Sequence, residues 1–416
     1  MQPSPTTSAT TTSATTLVTA AEISRLAGVT RATVSNWRRR HEDFPAPAGG
    51  TDTSPAYDLT QVRSWLAARG RLPEGTAADD LRIALGALPE ALSPPCLSAL
   101  LCVLVGSADA LSDPAPLSDN DLATLSDLAT LSDNDLAAAA TEAAQRYRNA
   151  FPDTADTPFG AREVPVIRAL LRCAREQGPQ PTIDVLDRGA ESARVPPPPR
   201  VSRGLADLMA ALVTGPQGSY PVSVLDPMCG SGDLLLAAAR RGALSFHGRS
   251  DAAATAACAT ARILVQNQDA MVDLTAGDGL RTGPELDTAY DAALCNPPFG
   301  DRDWGHDDLV YDPRWAYGVP PRNESELAWV QHCLAQLRDG APAVLLMPPG
   351  AAERPSGRRV RAELLRRGAL RAVIALPPGI HPPRHLGLHL WILRRPVPDT
   401  DPPREILLVD ATEFSD

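Results

Sequence analysis

The 416 residues suffice for about two or three domains, and 44% hydrophobic against 21% charged content is enough to build packed cores. A net charge of −11 excludes a chain that coats nucleic acid over its whole surface, and only 4% of the residues are aromatic, so the cores rest on Ala, Leu and Val. Seven cysteines, an odd number with no C-x-x-C pair, exclude a disulfide scaffold and a zinc knuckle and point to the reducing cytoplasm. All 39 basic residues are Arg, and the charge is uneven: Thr19–Arg71 carries eight Arg and five acids, whereas Asp109–Asp156 carries ten acids and two Arg. Phosphate contact is therefore expected to be local.

Residues 1–16 are Thr/Ser-rich, without the basic start and apolar stretch of a signal peptide, and read as a disordered tail. Nothing reaches 18 uninterrupted apolar residues, so no membrane span is expected. Order is expected from Thr19-Ala-Ala-Glu22, whose spacing is that of a capping box, followed by a short helix with Ile23, Leu26 and Ala27 on one face. Gly28-Val29 turns the chain, and Thr30 can cap a second helix over Arg31–Arg39. Val62, Trp65 and Leu66 mark a third helix over Gln61–Ala68. Two short helices about a Gly turn, the second polar and basic, predict a helix-turn-helix domain over residues 17–72. Arg31, Thr33, Asn36, Arg38 and Arg39 are its candidate DNA contacts, and Trp37 is assigned to its core.

Residues 73–195 read as a helical segment, with helices near 77–106, 133–150 and 161–177. An acidic low-complexity linker over about 107–132 contains an imperfect repeat, LSDNDLAT–LSDLAT–LSDNDLAA, too short for a solenoid, whose last copy is expected to cap a helix. Pro196–Pro199 marks a stiff boundary.

Over residues 196–416 strands and helices alternate. Strands are predicted at Val222–Leu225, Leu244–Gly248, Val272–Ala276, Ala289–Leu294, Ala343–Met347, Leu370–Leu376, Leu388–Leu393 and Ile406–Val409. Helices fall at Asp233–Arg241, Asp251–Asn267, from the capping-box spacing Asn323-Glu-Ser-Glu326 to Arg338, and at Gly357–Arg367. This alternation predicts an α/β fold with a doubly wound, mostly parallel sheet.

Two loops carry the chemistry. Asp226-Pro-Met-Cys-Gly230-Ser231-Gly232-Asp233 follows a strand and opens a helix. Its glycines let a ligand approach the backbone, but G-K-[ST] and a third glycine are both missing. The leading acid disfavours a phosphate and favours a cationic or hydroxyl-bearing ligand. Asn296-Pro297-Pro298-Phe299-Gly300 ends another strand, since two prolines cannot continue a sheet. It offers an amide, carbonyls without competing N–H groups and an aromatic face, a set suited to a planar neutral –NH₂ group.

These residues resemble the S-adenosylmethionine-dependent N-methyltransferases with an N-P-P-[FY] signature, and among them the adenine-N6 DNA methyltransferases of the type I modification-subunit kind. The resemblance spans roughly Ser202–Ala411 and includes Asp278 in Ala276-Gly-Asp-Gly-Leu280. It implies a Rossmann-like methyltransferase domain that takes S-adenosyl-L-methionine as cofactor. Asp226, Pro227, Gly230, Ser231 and Gly232 would hold the methionine end, Asp251 would serve the ribose, and Asp278 would accept from the cofactor's adenine. Asn296, Pro297, Pro298 and Phe299 would hold a target adenine flipped from DNA. Two positions depart from the family pattern: the ribose acid comes one residue late, at Asp251, and Val201-Ser202 stands where Thr-Pro is usual.

The expected partners are DNA and a possible specificity subunit, with no membrane and no metal. His381, His385 and His389 have helical i, i+4, i+8 spacing, but Pro382-Pro383 and Gly387 break any helix there, so they are not assigned to a metal. Seven Arg within Arg354–Arg371 read first as a solvated face, with duplex phosphate contact as the alternative. Two further readings remain open here: the same chemistry on RNA guanine or protein glutamine, and a DNA-binding regulator with a degenerate methyltransferase fold.

Overall fold

A computed structural model describes residues 17–51, 54–69, 76–112, 128, 130–154, 159–191, 200–213, 220–282, 289–382 and 385–413. The expected tail, most of the repeat and the polyproline boundary lie outside these residues. The chain divides into two compact units, residues 1–146 with 154–185, and residues 147–153 with 186–416.

The first unit opens with strand β1 (Leu17–Thr19), helix Ala20–Leu26 and helix Arg31–Arg40. Glu22 accepts from the backbone N–H and hydroxyl of Thr19, at 2.6 and 2.8 Å. Gly28 turns the chain at φ 63°, and Thr30 caps the second helix by accepting from the Thr33 N–H at 3.2 Å. Strands β2 (Pro47–Thr51) and β3 (Ser54–Asp58) then form a hairpin, and β1 adds to β3 to give an antiparallel sheet of order β1-β3-β2. Sequence reading missed this hairpin because Pro47-Ala-Gly-Gly-Thr51 is exposed throughout and shows no apolar alternation. Helix Leu59–Ala67 closes the module. Its core holds Trp37, Phe44, Tyr57 and Trp65, with the Phe44 and Trp65 rings edge to face at 5.0 Å.

The rest of this unit is helical. The stretch expected as one helix over 77–106 is broken into Ala77–Ala87 and Pro94–Ser112, with a 3₁₀ turn at Pro89–Leu92 between them. Pro89, Pro94 and Pro95 have no N–H to continue an α-helical ladder. Ser132 caps helix Asp133–Arg146, accepting from the Asp135 N–H at 3.3 Å. Helix Val164–Gln177 is followed, across Gly178 at φ 90°, by an unexpected helix, Pro179–Glu191.

In the second unit the strands are β4 (Ser223–Asp226), β5 (Ser245–Ser250), β6 (Met271–Ala276) and β7 (Ala292–Cys295). They are joined by β8 (Pro342–Met347), β9 (Leu370–Ala375), β10 (His389–Arg394) and β11 (Leu407–Asp410). Among the described residues they form one sheet of order β11-β9-β10-β8-β7-β4-β5-β6. Every pairing is parallel except those of β10, which runs antiparallel to β8 and β9. Period-2 alternation in β7 and β8 divides their side chains between two cores. Ala293, Cys295, Leu345 and Met347 pack with helices Ser325–Ala335 and Arg358–Arg366. Ala292, Leu294, Val344 and Leu346 pack with helices Arg203–Leu212, Asp233–Ala239 and Ala253–Gln266. Both faces of the sheet are therefore covered, as a parallel sheet requires.

The chain leaves β4 toward β5 and β6 and returns to β7 on the opposite side of β4. This reversal opens a crevice outside the carboxyl ends of β4 and β7, where open α/β sheets take their ligands. Both chemically marked loops leave from those two ends. Among the described residues no helix is long and apolar enough to cross a membrane.

Candidate active site

The loop after β4 is held in place by its neighbours. Asp226, 1% exposed, accepts from the Met228 N–H at 3.1 Å. The Cys229 N–H donates to the Arg249 carbonyl of β5 at 2.7 Å, and the Gly232 N–H donates to the Cys229 carbonyl at 2.8 Å. Gly230 and Gly232 have φ of 49° and 80°, and a Cβ on Gly232 would lie 2.8 Å from that of Ala259. Glycine is thus required at Gly232 by backbone conformation and by close helix packing together. Arg262, 1% exposed, donates to the Ser231 carbonyl at 2.9 Å and to Asp187 at 2.7 Å. A buried ion pair thereby fixes the back of the loop. Truncating either partner would leave an uncompensated buried charge.

Gly248 of β5 lies directly against the main chain of Asp226. A Cβ there would fall 2.3 Å from the Asp226 carbonyl oxygen, and backbone cannot swing aside as a side chain can. Gly248→Ala is expected to lower stability by about 1–3 kcal/mol, read by urea denaturation. Unchanged stability would show that β4 and β5 are not packed this closely.

The loop after β7 is fixed from beneath. Gly300 turns at φ 65°, and its N–H donates at 3.0 Å to Oε1 of Glu326, a carboxylate with no exposure. This corrects the capping box expected at Asn323–Glu326. The N-cap of helix Ser325–Ala335 is Glu324, with no side-chain cap bond, and its carboxylate accepts instead from Ser356 and from Arg361 at 3.4 Å. Both carboxylates are fully buried and are spent on partners outside the helix, the Gly300 N–H for Glu326 and Ser356 with Arg361 for Glu324, because a buried charged group must be hydrogen-bonded.

The two loops meet at one cavity of about 610 Å³. Asp226, Gly230 and Ser231 line it from the first loop, and Asn296, Pro297, Pro298 and Phe299 from the second. Asp251 reaches it too, so the acid displaced by one residue still faces the same space. Gly232 is not in the lining; it turns the loop behind it. Pro227 faces a separate cavity of about 30 Å³ together with Gly279. Asp278 also lies outside the main cavity: its carboxylate accepts from the Leu280 and Arg281 N–H groups at 2.9 and 3.1 Å, closing its own turn.

Several lining residues were not assigned to the site from the sequence. Arg200 and Val201 enter from the segment before helix Arg203–Leu212, and Arg200 pairs with Asp233 at 2.7 Å. His381 and Pro382 enter from the loop after β9. His381, 2% exposed, meets Asn296 with its Nε2 3.2 Å from the amide Nδ2. The sequence raised His381 only as one of three spaced histidines, and a contact across 85 positions leaves no local pattern. Among the described residues no group of three or more His, Cys, Asp or Glu is placed to hold a metal ion.

Burial pushes the Asp226 carboxyl up to about 8, reinforced by nearby Asp233 and opposed by the Met228 N–H bond. A carboxylate held in that state favours a cationic guest, whose charge would restore the ionised form.

In the first unit, Arg31 and Arg38 line a groove of about 250 Å³ with Val34, Ser35 and Tyr57. The other candidate contacts are engaged within the helix. The Thr33 hydroxyl lies 2.9 Å from that of Thr30, and Asn36 accepts from Arg39 at 2.6 Å. Trp37 is buried.

Comparison with known proteins gives the family and the fold. A methylase subunit of the type I restriction enzyme HindI from Haemophilus influenzae is 25% identical over 205 residues, covering 47% of this chain and 46% of that protein. The MjaIX methylase subunit from Methanocaldococcus jannaschii is 24% identical over 193 residues, covering 42% and 34%. The chain thus spans less than half the length of these curated relatives. Among solved structures, a type I restriction-modification methyltransferase subunit from Streptococcus thermophilus superposes with a TM-score of 0.56 at 16% identity, covering 82% of this chain and 86% of that one. The type IIG restriction endonuclease BpuSI gives 0.53 at 14% identity, covering 84% and 43%. These superpositions show the S-adenosylmethionine-dependent methyltransferase fold. The N-6 DNA Methylase family matches residues 194–416, more than half of the chain and all of the sheet that carries the cavity. This protein belongs to the N-6 DNA methylase family.

Proposed function

We propose that the chain methylates N6 of adenine in DNA, using S-adenosylmethionine. One observation carries this reading: the glycine loop and the Asn-Pro-Pro-Phe loop line the same cavity. The lining fits the cofactor's polar end. Asp226 is a buried carboxylate suited to a cation, and Asp251 can accept from ribose hydroxyls. Gly230 and Ser231 leave their backbone open to close approach. When bound, S-adenosylmethionine supplies an electrophilic methyl group on a sulfonium.

The Asn-Pro-Pro-Phe residues act on the target. The adenine amino group is a weak nucleophile because its lone pair is delocalised into the ring. The Asn296 amide oxygen and the Pro297 carbonyl, accepting its two hydrogens, would draw the nitrogen toward a pyramidal geometry with a localised lone pair. No strong base is needed before attack, so positioning and electrostatics supply most of the acceleration. Phe299, half-buried against the core beneath the sheet, offers a face on which a flipped base can stack. That stacking offsets part of the few kcal/mol of unstacking cost.

DNA as substrate is supported by the family and by the relatives' description as type I restriction enzyme methylase subunits. We assign Arg31 and Arg38, on one groove of the N-terminal module, to duplex phosphate, and a further subunit to sequence recognition. Single-molecule sequencing of the native host's genome tests the function in the presence of any partners. Deleting the gene should erase an N6-methyladenine mark that the restored gene returns. A mark on cytosine alone, or no adenine mark that follows the gene, would overturn the proposal.

A further inference from the structure

An asparagine side chain has two nearly isosteric orientations with opposite chemistry: one presents an acceptor oxygen, the other a donor –NH₂. Only the first suits a target amino group, which donates. A loop ending in Asn-Pro-Pro-Phe does not itself choose between them, because no backbone constraint reaches the end of the amide. In this structure the amide meets a residue 85 positions away: Asn296 Nδ2 lies 3.2 Å from His381 Nε2. His381 is 2% exposed and Asn296 is half-buried, so bulk water competes weakly for that contact. Both residues line the 610 Å³ cavity.

We infer that His381 is a positioning residue that sets the Asn296 amide, turning its oxygen toward the target nitrogen. The inference rests on the proposed adenine methylation. Nδ2 can only donate, so Nε2 must accept and carries no proton; a neutral imidazole then holds its proton on Nδ1. A proton on Nε2, in the other tautomer or in the imidazolium, reverses the arrangement. Nε2 would donate to the Asn296 oxygen, the amide would turn over, and its –NH₂ would face the target's own N–H groups. Donor would meet donor, and the nitrogen's lone pair would no longer be directed. The site therefore needs an unprotonated Nε2 for a reason unrelated to taking the substrate's proton.

The charged and titratable groups sharing this cavity are Asp226 at the end of β4, Cys229 and Asp233 of the glycine loop and its helix, Asp251 after β5, and Arg200 before helix Arg203–Leu212. Burial raises the Asp226 carboxyl to about 8, so the pH effect of His381 is isolated by comparison with a variant at that position alone. His381→Gln places a carbonyl acceptor near Nε2 that does not titrate. His381→Phe keeps a planar ring without any acceptor.

With cofactor saturating, His381→Phe is expected to lower kcat about 10- to 100-fold, with little change in cofactor affinity. His381→Gln should recover most of the rate and lack the wild-type acid limb that is due to His381. Long-range ¹H–¹⁵N spectra of the full chain, labelled in histidine, give a readout that does not depend on turnover. At pH 8, Nε2 of His381, assigned by its loss in His381→Gln, should show the shift of an unprotonated ring nitrogen. A protonated Nε2, or a folded His381→Phe with wild-type kcat, would overturn the inference. If His381→Phe does not fold, the nitrogen shift and the His381→Gln pH profile decide the matter. Should the wild type place no methyl on adenine, the proposed function fails, while the nitrogen shift still decides whether His381 orients Asn296.

Discussion

Asn296→Ala is expected to lower kcat for methyl transfer about 10²- to 10³-fold, the loss seen when one preorganised polar group at a reacting centre is removed. Cofactor affinity should stay at the wild-type level, because the buried carboxylate that would hold the cofactor's positive end is Asp226 on β4, whereas Asn296 ends β7. The fold should also survive. The loop backbone is held by the Gly300–Glu326 bond, which does not involve the amide, and Asn296 is only half-buried. Single-turnover kinetics with saturating cofactor measures the first quantity, and titration calorimetry with S-adenosylmethionine the second. Wild-type single-turnover rates would show that this amide is not at the reacting nitrogen.

The second large effect concerns Asp226, whose replacement by Asn should separate stability from binding. Burial raises its carboxyl from 3.8 in the unfolded chain to about 8 in the fold. With the folded value above the unfolded one, folding takes up a proton. This group is therefore least costly below about pH 4, and its cost grows as pH rises toward 8, after which it is constant. Asparagine matches the protonated acid in shape and has no charge to desolvate. The cofactor-free Asp226→Asn protein should thus melt above the wild type, by a margin that widens from pH 4 to pH 8. At about 1.4 kcal/mol per pH unit the effect is on the order of several kcal/mol, with relaxation of the site reducing it.

Binding should move the other way. A cationic guest against Asp226 would be left without its counter-charge, and breaking a buried pair in this manner costs about 3–5 kcal/mol, or about 10²- to 10⁴-fold in affinity. Wild-type binding near pH 7 should also release protons, as the guest restores the ionised carboxyl. Calorimetry in buffers of different ionisation enthalpy reads that release, and Asp226→Asn should abolish it. A cofactor-free variant that melts lower than the wild type at pH 8 would show that burial does not raise this carboxyl, and one that binds S-adenosylmethionine equally well would show that it is not the cation's seat.

The second unit was legible in the sequence because its signals are local. Buried parallel strands appear as short runs such as Ala343–Met347, and each loop begins where Gly or Pro ends a strand. Asp251 illustrates a useful error of scale: one residue of displacement looks like a defect in a motif, yet the acid still reaches the cavity. Asp278 shows the converse, since its place in a motif did not reveal that its carboxylate closes the turn to Leu280 and Arg281. The Pro47–Thr51 strand was illegible because it buries nothing, and burial is what writes a period into a strand.

The sequence by itself determined the eight strands of the second unit, where the glycine loop and the Asn-Pro-Pro-Phe loop interrupt them, and what kind of groups those loops present. Only the tertiary structure decided that the loops share one cavity, that Glu326 supports the Asn-Pro-Pro-Phe loop rather than capping a helix, and that His381 reaches Asn296. The physical reason is range. Propensity, capping and periodicity act over a few residues, whereas the partner of a buried polar group is chosen by which chain segments the sheet order brings together. An amide, a carboxylate and an imidazole acquire their roles from that partner.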